Sequence, residues 1–437
     1  MQHADLQINP QWLIPVEPAG VELTQHAVIV NNGRIAEVCP LAQAAAYAPA
    51  HIVDLPGHAL IPGLVNAHGH AAMTLMRGIA DDLPLMTWLS EHIWPVESAL
   101  VSEQFVADGT QLAVAEMLSS GTTCFNDMYF FPMQAARAAS GAGMRAVIGM
   151  IALDFPSVLA KDADEYIAKG IEFHDHARSD PLITSAWAPH APYTISDRPL
   201  SRIRVLAEEM DVPIHMHVHE TADEVNNAVN ERGQRPIARL QDLELLSPRL
   251  IAVHMTQLEP EEIELVARYG VHVVHCPESN FKLASGACPT DALLKAGGSV
   301  ALGTDGAASN NDLDMLSEMR SAAFLAKHVT GEAGAVPASS ALGMATLGGA
   351  KALGLGDEIG SIEPGKAADL CAIDLGDLAT QPVYSATSAI VYAAHRAQVK
   401  AVWVAGRQVV ADGSLLHMDT QRLIANAKAW HEKTAAL

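Results

Sequence analysis

Apolar positions along this chain follow two rhythms. From residue 59 to 305, short apolar, β-rich runs recur eight times: Ala59–Asn66, Thr122–Asn126, Ala146–Met150, Ile183–Trp187, Pro213–Val218, Leu250–His254, Val271–Val274 and Ser299–Gly303. Between them lie helix-like stretches such as Glu103–Ser119, Leu200–Met210, Glu259–Tyr269 and Asp291–Ala296. Near-continuous apolar strands are buried on both faces, and their alternation with helices makes parallel βα units. Eight units predict an α/β fold closed as a (β/α)8 barrel of the TIM type. A doubly wound open sheet is the other topology, but no G-x-G-x-x-G follows the first strand.

The two ends carry the second rhythm. HAVIVNNGRIAEV and HIVDLPG precede the barrel; ADLCAID and VKAVWVAGRQVVADG follow it. Asn-Asn-Gly reads as a hairpin turn, and VWVAG with RQVVADG reads as another hairpin. Neither end makes a stable sheet alone. They are therefore predicted to pack together as a small β-sandwich. Residues 1–60 form its first part, 61–362 the barrel, and 363–437 its second part with a terminal helix from Thr420 to Ala436. No repeat or low-complexity linker interrupts the chain.

The 437 residues accommodate a barrel of about 250 residues and a second domain. A net charge of −23 argues against nucleic acid and anionic membranes, which need basic patches. Solubility is its simpler meaning. The five cysteines are scattered and contain no C-x-x-C, so neither a disulfide framework nor a thiolate metal site is expected. The first residues lack a basic segment followed by an apolar one, and no apolar run is long enough to span a bilayer. A cytoplasmic protein is expected, as a homo-oligomer, because barrels of this size often associate.

Ionisable residues cluster where such barrels work, at the C-terminal ends of strands. The first run ends in His68 and His70, and His190 follows the fourth. The fifth carries His215, His217, His219 and Glu220; the sixth ends at His254, the seventh at His275, and Asp305 follows the eighth. A lone His-x-His pair is as readily two solvated or core histidines as two ligands. Six of eight strands ending this way is hard to explain as packing, because an unpaired buried polar group costs several kcal/mol. Imidazoles and carboxylates without thiolates suit a catalytic Zn²⁺ or Fe²⁺, and His68, His70, His217 and Asp305 would supply that set. A metal there makes water acidic near neutral pH. Asp305 can accept the water's proton, Glu220 can carry a proton to the substrate, and His254 can stabilise developing charge.

Other residues read more plainly. His215 and His219 share the His217 face by alternation and are expected behind the ligands or at the rim. His275 is expected as a hydrogen-bonded core residue, with substrate contact as the alternative. His51, His58, His92, His174 and His176 are expected at the surface or in linkers. Met73, Met76 and Met86 have roughly helical spacing and read as core.

The stretches VNAHGHAAMTLMRG, HMHVHET, AVHMTQL, HCPESNFKLASG and LGTDGAASNN together resemble the amidohydrolase superfamily over nearly the whole chain. Within it, the chain is similar to the 5′-methylthioadenosine/S-adenosylhomocysteine deaminase branch, which shares these motifs with triazine hydrolases and guanine deaminases. The resemblance implies one zinc ion per subunit, held by His68, His70, His217 and Asp305. It makes Glu220 the proton donor to the purine ring and His254 the assistant of water attack at C6, with loss of ammonia. It places Glu97 on the ribose hydroxyls, His190 on the purine or ribose, and Trp88 and Ser309 in the nucleoside pocket. Without it, Glu97 would read as a solvated helix-end carboxylate.

The fourth run, ITSAWAPH, contains no lysine to bridge two metals, and no P-C-x-x-C element of cytidine-deaminase type occurs. Relatives that accept S-adenosylhomocysteine carry arginines after the third strand, whereas this chain has none from 146 to 177, and Lys161 is the only cation in the segment MIALDFPSVLAKDADEY. Leu153, Phe155, Pro156, Val158 and Leu159 would form an apolar wall there instead. The expected reaction is deamination of 5′-methylthioadenosine to 5′-methylthioinosine, with S-adenosylhomocysteine and adenosine as weaker substrates. The alternative is a guanine or triazine aminohydrolase or chlorohydrolase. A metal-free binding barrel is disfavoured, since every proposed ligand is present.

Overall fold

The computed structural model describes residues 1–437. The apolar runs form the eight parallel strands of one sheet, except that the first, Ala59–Asn66, is divided: its residues up to Pro62 end a strand of a second sheet, and the barrel strand begins at Leu64. The barrel strands are β1 (Leu64–Gly69), β2 (Thr122–Asp127), β3 (Arg145–Ala152), β4 (Ile183–Pro189), β5 (Ile214–Val218), β6 (Leu250–His254), β7 (His272–His275) and β8 (Ser299–Leu302). Strand order follows chain order throughout, as in a (β/α)8 barrel and unlike a doubly wound sheet, whose order reverses. The seam between β8 and β1 closes through Asn66, whose side chain accepts from the Thr304 N–H and donates to the Thr304 hydroxyl. The Asp305 N–H donates to the His68 carbonyl at 3.1 Å. Gly303 permits this approach: a Cβ there would stand 2.8 Å from the His68 nitrogen.

Val65, Cys124, Val147, Ala186, Ile251 and Val274 pack with one another in the barrel's interior. β5 sets His215 and His217 level with Ile251 and Val253 of β6. The inner row of the barrel thus changes from apolar to imidazole toward the top of β5. The helix Glu103–Ser119 starts at Ser102, whose hydroxyl accepts the Phe105 N–H. Ala163–Ala177 starts likewise at Asp162 and Met315–Thr330 at Asp314.

The β-domain expected from both ends is a mixed eight-stranded sheet. Its long strand Tyr47–Pro62 pairs with Gln2–Leu13 on one side and with Leu370–Asp374 on the other. Asn32 and Gly33 both have positive φ, at 50° and 74°, so Asn-Asn-Gly makes the tight hairpin between His26–Asn31 and Arg34–Pro40. Val399–Val404 and Arg407–Ala411 form the second expected hairpin, and Thr420–Thr434 is the terminal helix. No helix is long and apolar enough to cross a membrane.

Candidate active site

Each histidine of the proposed ligand set is held by its Nδ1 and offers its Nε2. His70 Nδ1 donates to the Met128 carbonyl at 2.6 Å, and His217 Nδ1 to the His190 carbonyl at 2.8 Å. His68 Nδ1 lies 2.8 Å from His215 Nε2. Such anchors fix ring orientation and tautomer. The Nε2 atoms of His68 and His70 each lie 3.2 Å from Asp305 Oδ1, and His217 Nε2 lies 3.3 Å from His68 Nε2. All four donor atoms fall within 4.8 Å of one another. Ligands about 2.0–2.1 Å from a tetrahedral ion stand roughly 3.3–3.4 Å apart, so the donor set and spacing fit one divalent cation.

Electrostatics agree with that fit. Burial pushes His68 down to about 4 and holds His217 well below the usual imidazole range. Neutral imidazoles are what a metal binds. Burial works to raise Asp305, but hydrogen bonds from His68 and His70 hold it far below the usual carboxylate range. His70 is pushed up to about 9: burial opposes protonation, but the Asp305 carboxylate and the Met128 carbonyl outweigh it. A divalent cation among the same atoms offsets the Asp305 charge in place of that proton. The other Asp305 oxygen, Oδ2, accepts from Ser279 Oγ at 2.6 Å and Ser309 Oγ at 2.8 Å.

Glu220 and His254 flank the cluster, with 3.9 Å between Glu220 Oε1 and His254 Nε2. His254 Nδ1 donates to Asn280 Oδ1 at 2.9 Å, leaving Nε2 for the site. Burial pushes the Glu220 carboxyl up, opposed by His254. The turn carrying Glu220 is fixed by Glu224, whose carboxylate accepts the N–H groups of His219 and Glu220 at 3.0 and 2.7 Å. Thr221 Oγ1 in turn accepts the Glu224 N–H. The sequence Thr-x-x-Glu at 221–224 is a capping-box pattern, so the chain carries a local signal for this support. Ser279 and Asn280 lie in the same HCPESN stretch as His275 and act through hydrogen bonds to Asp305 and His254. Tyr129, whose hydroxyl donates to Glu97 at 2.7 Å, had no sequence signal.

His70, His217 and Asp305 of the cluster line the floor of a cavity of about 630 Å³, while the fully buried His68 does not reach its surface. Trp88, Glu97, Phe155, His190 and Ser309 all line it, with Glu220, His254 and Asp305. Trp88 is buried with its Nε1 unpartnered. The Ser309 hydroxyl is committed to Asp305. Leu153, Pro156 and Val158 join Phe155 in the wall, whereas Leu159 turns to the hydrophobic core. Met73 and Met86 line the cavity too, and only Met76 is purely core. No lysine or arginine lines it, Lys161 included.

Three further histidines of the strand ends also lie outside the cavity wall. His215 sits behind His68, as alternation predicts. His219 is fully buried and not at a rim: its φ of 53° turns it from the cluster, and its Nε2 accepts the Ile237 N–H. His275 is fully buried and outside the cavity, and neither ring nitrogen has a partner. His51, His58, His92, His174 and His176 also stay outside the cavity.

The amidohydrolase family pattern matches residues 59–409. A 5-methylthioadenosine/S-adenosylhomocysteine deaminase of Teredinibacter turnerae is 50% identical, aligned over 99% of this chain and 98% of that protein. The crystal structure of an adenosine deaminase from Xanthomonas campestris with bound zinc is 54% identical, covers 100% of both chains and superposes with a TM-score of 0.99. An atrazine chlorohydrolase from Arthrobacter aurescens, complexed with zinc, shares the fold at 21% identity, with a TM-score of 0.91 over 97% of this chain and 99% of its own. The motifs, the barrel and the four-donor cluster agree with these likenesses, and the chain belongs to the amidohydrolase family.

Proposed function

We propose that the chain is a zinc-dependent deaminase of adenine nucleosides. It converts 5′-methylthioadenosine to 5′-methylthioinosine and ammonia, with adenosine and S-adenosylhomocysteine as slower substrates. The observation that carries this reading is Glu220 and His254 beside a four-donor cluster that includes Asp305, in a cavity whose wall holds Glu97. The name borne by whole-length relatives supports the substrate class.

His68, His70, His217 and Asp305 would hold the zinc, and ferrous iron suits the same donors. When bound, the ion acidifies water and so supplies a nucleophile near neutral pH. His254, fixed through Asn280, presents Nε2 to the attacking oxygen. Asp305 accepts the proton released. Glu220, made more basic by burial, delivers a proton to the purine ring nitrogen as oxygen adds at C6. Asp305 then returns its proton to the C6 amino group, the C6–N bond breaks with loss of ammonia, and the C6 hydroxyl proton passes back to Glu220 as the carbonyl forms. Glu97 accepts hydrogen bonds from the ribose hydroxyls, while Trp88, His190 and Ser309 bound the nucleoside.

The 5′ substituent meets Phe155 and its apolar neighbours. This wall suits a methylthio group. With no lysine or arginine in the lining, the homocysteine carboxylate finds no cationic partner. The five cysteines are all free and buried, which fits a reducing, cytoplasmic setting.

The test is an ultraviolet assay of zinc-loaded protein with 5′-methylthioadenosine, adenosine and S-adenosylhomocysteine, with ammonia quantified. Faster use of the first than of the others supports the reading. Equal kcat/KM for all three removes the preference but leaves the chemistry. No ammonia from any of them points to guanine or triazine substrates.

A further inference from the structure

The segment Leu85–Leu100 closes one side of the cavity with Trp88, Trp94 and Glu97 among its contributions. Trp88, Ile93 and Val96 seat it on the core. Beyond its immediate flanks, its sole hydrogen bond to the rest of the chain runs from the Tyr129 hydroxyl to Glu97 Oε1, at 2.7 Å. Tyr129 itself is only 5% exposed and follows directly on the stretch that braces the metal-ligand loop. The Asp127 carboxylate accepts the Ala71 N–H at 2.7 Å, the Met128 N–H donates to the Gly69 carbonyl at 2.9 Å, and the Met128 carbonyl holds His70. One phenol thus joins a rigid strand end beside the ligands to a carboxylate on a separately seated segment.

We propose that Tyr129 is a positioning residue for ribose recognition: its hydroxyl binds one oxygen of Glu97 and sets the carboxylate to receive the 2′- and 3′-hydroxyls of the nucleoside. This rests on the reading of Glu97 as the ribose acceptor. A buried carboxylate accepts two hydroxyls well only if it is ionised and fixed in rotation. Burial raises the Glu97 carboxyl, and the Tyr129 hydrogen bond opposes that rise. Tyr129 therefore supplies both the orientation and part of the charge stabilisation. Because Glu97 is otherwise unpartnered, the ribose hydroxyls complete its hydrogen bonding when the substrate enters.

The experiment compares Tyr129→Phe with wild type on adenosine and on 2′,3′-dideoxyadenosine, both zinc-loaded. Losing a hydrogen bond to a charged group is worth roughly a 10- to 100-fold change. The expected result is a loss of that size in kcat/KM on adenosine, carried mainly by KM, with kcat/KM on the dideoxynucleoside unchanged. An equal loss on both substrates means that Tyr129 only holds the segment in place, and overturns the proposal. So does no loss on either. Glu97→Ala should show the same dependence on the hydroxyls, and Tyr129→Phe added to it should cost nothing further. A wild type inactive on every adenine nucleoside removes the deaminase reading and this inference together. A wild type active on adenosine with a hydroxyl-independent Tyr129→Phe removes this inference alone.

Discussion

Arg145 and Asp369 face each other as a two-pronged ion pair between the barrel and the outer sheet. Arg145 Nε and Nη2 donate to Asp369 Oδ2 and Oδ1 at 3.0 and 3.2 Å, with side chains 10% and 1% exposed. Asp369 Oδ1 also accepts the Ala405 N–H at 2.7 Å. A buried pair broken on one side leaves an uncompensated charge, which costs about 3–5 kcal/mol. Asp369→Ala should lower stability by that amount in denaturant unfolding of zinc-loaded protein. Replacing both residues by apolar ones of similar size should restore most of it.

Removing a ligand and removing its brace should differ. His217→Ala should lose bound metal outright, as measured by elemental analysis after dialysis. His215→Ala keeps all four donors but frees His68 Nδ1, so metal affinity should fall about 10–100-fold. Competition with a chelator reads this directly. Unchanged affinity would show that His215 merely fills space.

Glu220→Gln should retain metal and bind nucleoside, yet lose about 10²–10⁴-fold in kcat, the usual range for a general acid or base. A near-wild-type kcat would remove the proton-transfer role. Glu224→Ala should give a milder loss, because it frees the turn that aims Glu220 without altering the reacting groups.

Gly303→Ala tests the barrel seam. Its new Cβ would press on His68 backbone atoms at 2.8–2.9 Å, and overpacking of this kind costs about 1–3 kcal/mol. Because His68 is both seam and ligand, thermal stability and metal content should fall together.

Much of this architecture was legible in the sequence, because it rests on strong, local patterns. A barrel strand buried on both faces must be apolar along its length, and an imidazole at its end stands out. Alternation put His215 and His217 on one face. It misplaced His219 because the chain enters the left-handed region there. His254 and Asp305 do the same, with φ of 74° and 61°. Such positions cost about 1–3 kcal/mol each and no propensity forecasts them. The braces were hidden for another reason. Two are backbone carbonyls, of Met128 and His190, which every residue type supplies. The Tyr129–Glu97 pair joins positions 32 apart, and either residue alone looks ordinary.

The outer sheet has a consequence in time. The strand Tyr47–Pro62 emerges early in synthesis, yet its neighbour Leu370–Asp374 is translated roughly 300 residues later. At about 5–20 residues per second that is roughly 15–60 s. Throughout that interval the barrel grows beside a strand with one bare edge, which invites pairing with other nascent chains. Ribosome pausing or truncation before residue 370 should therefore yield aggregates and not a smaller soluble barrel.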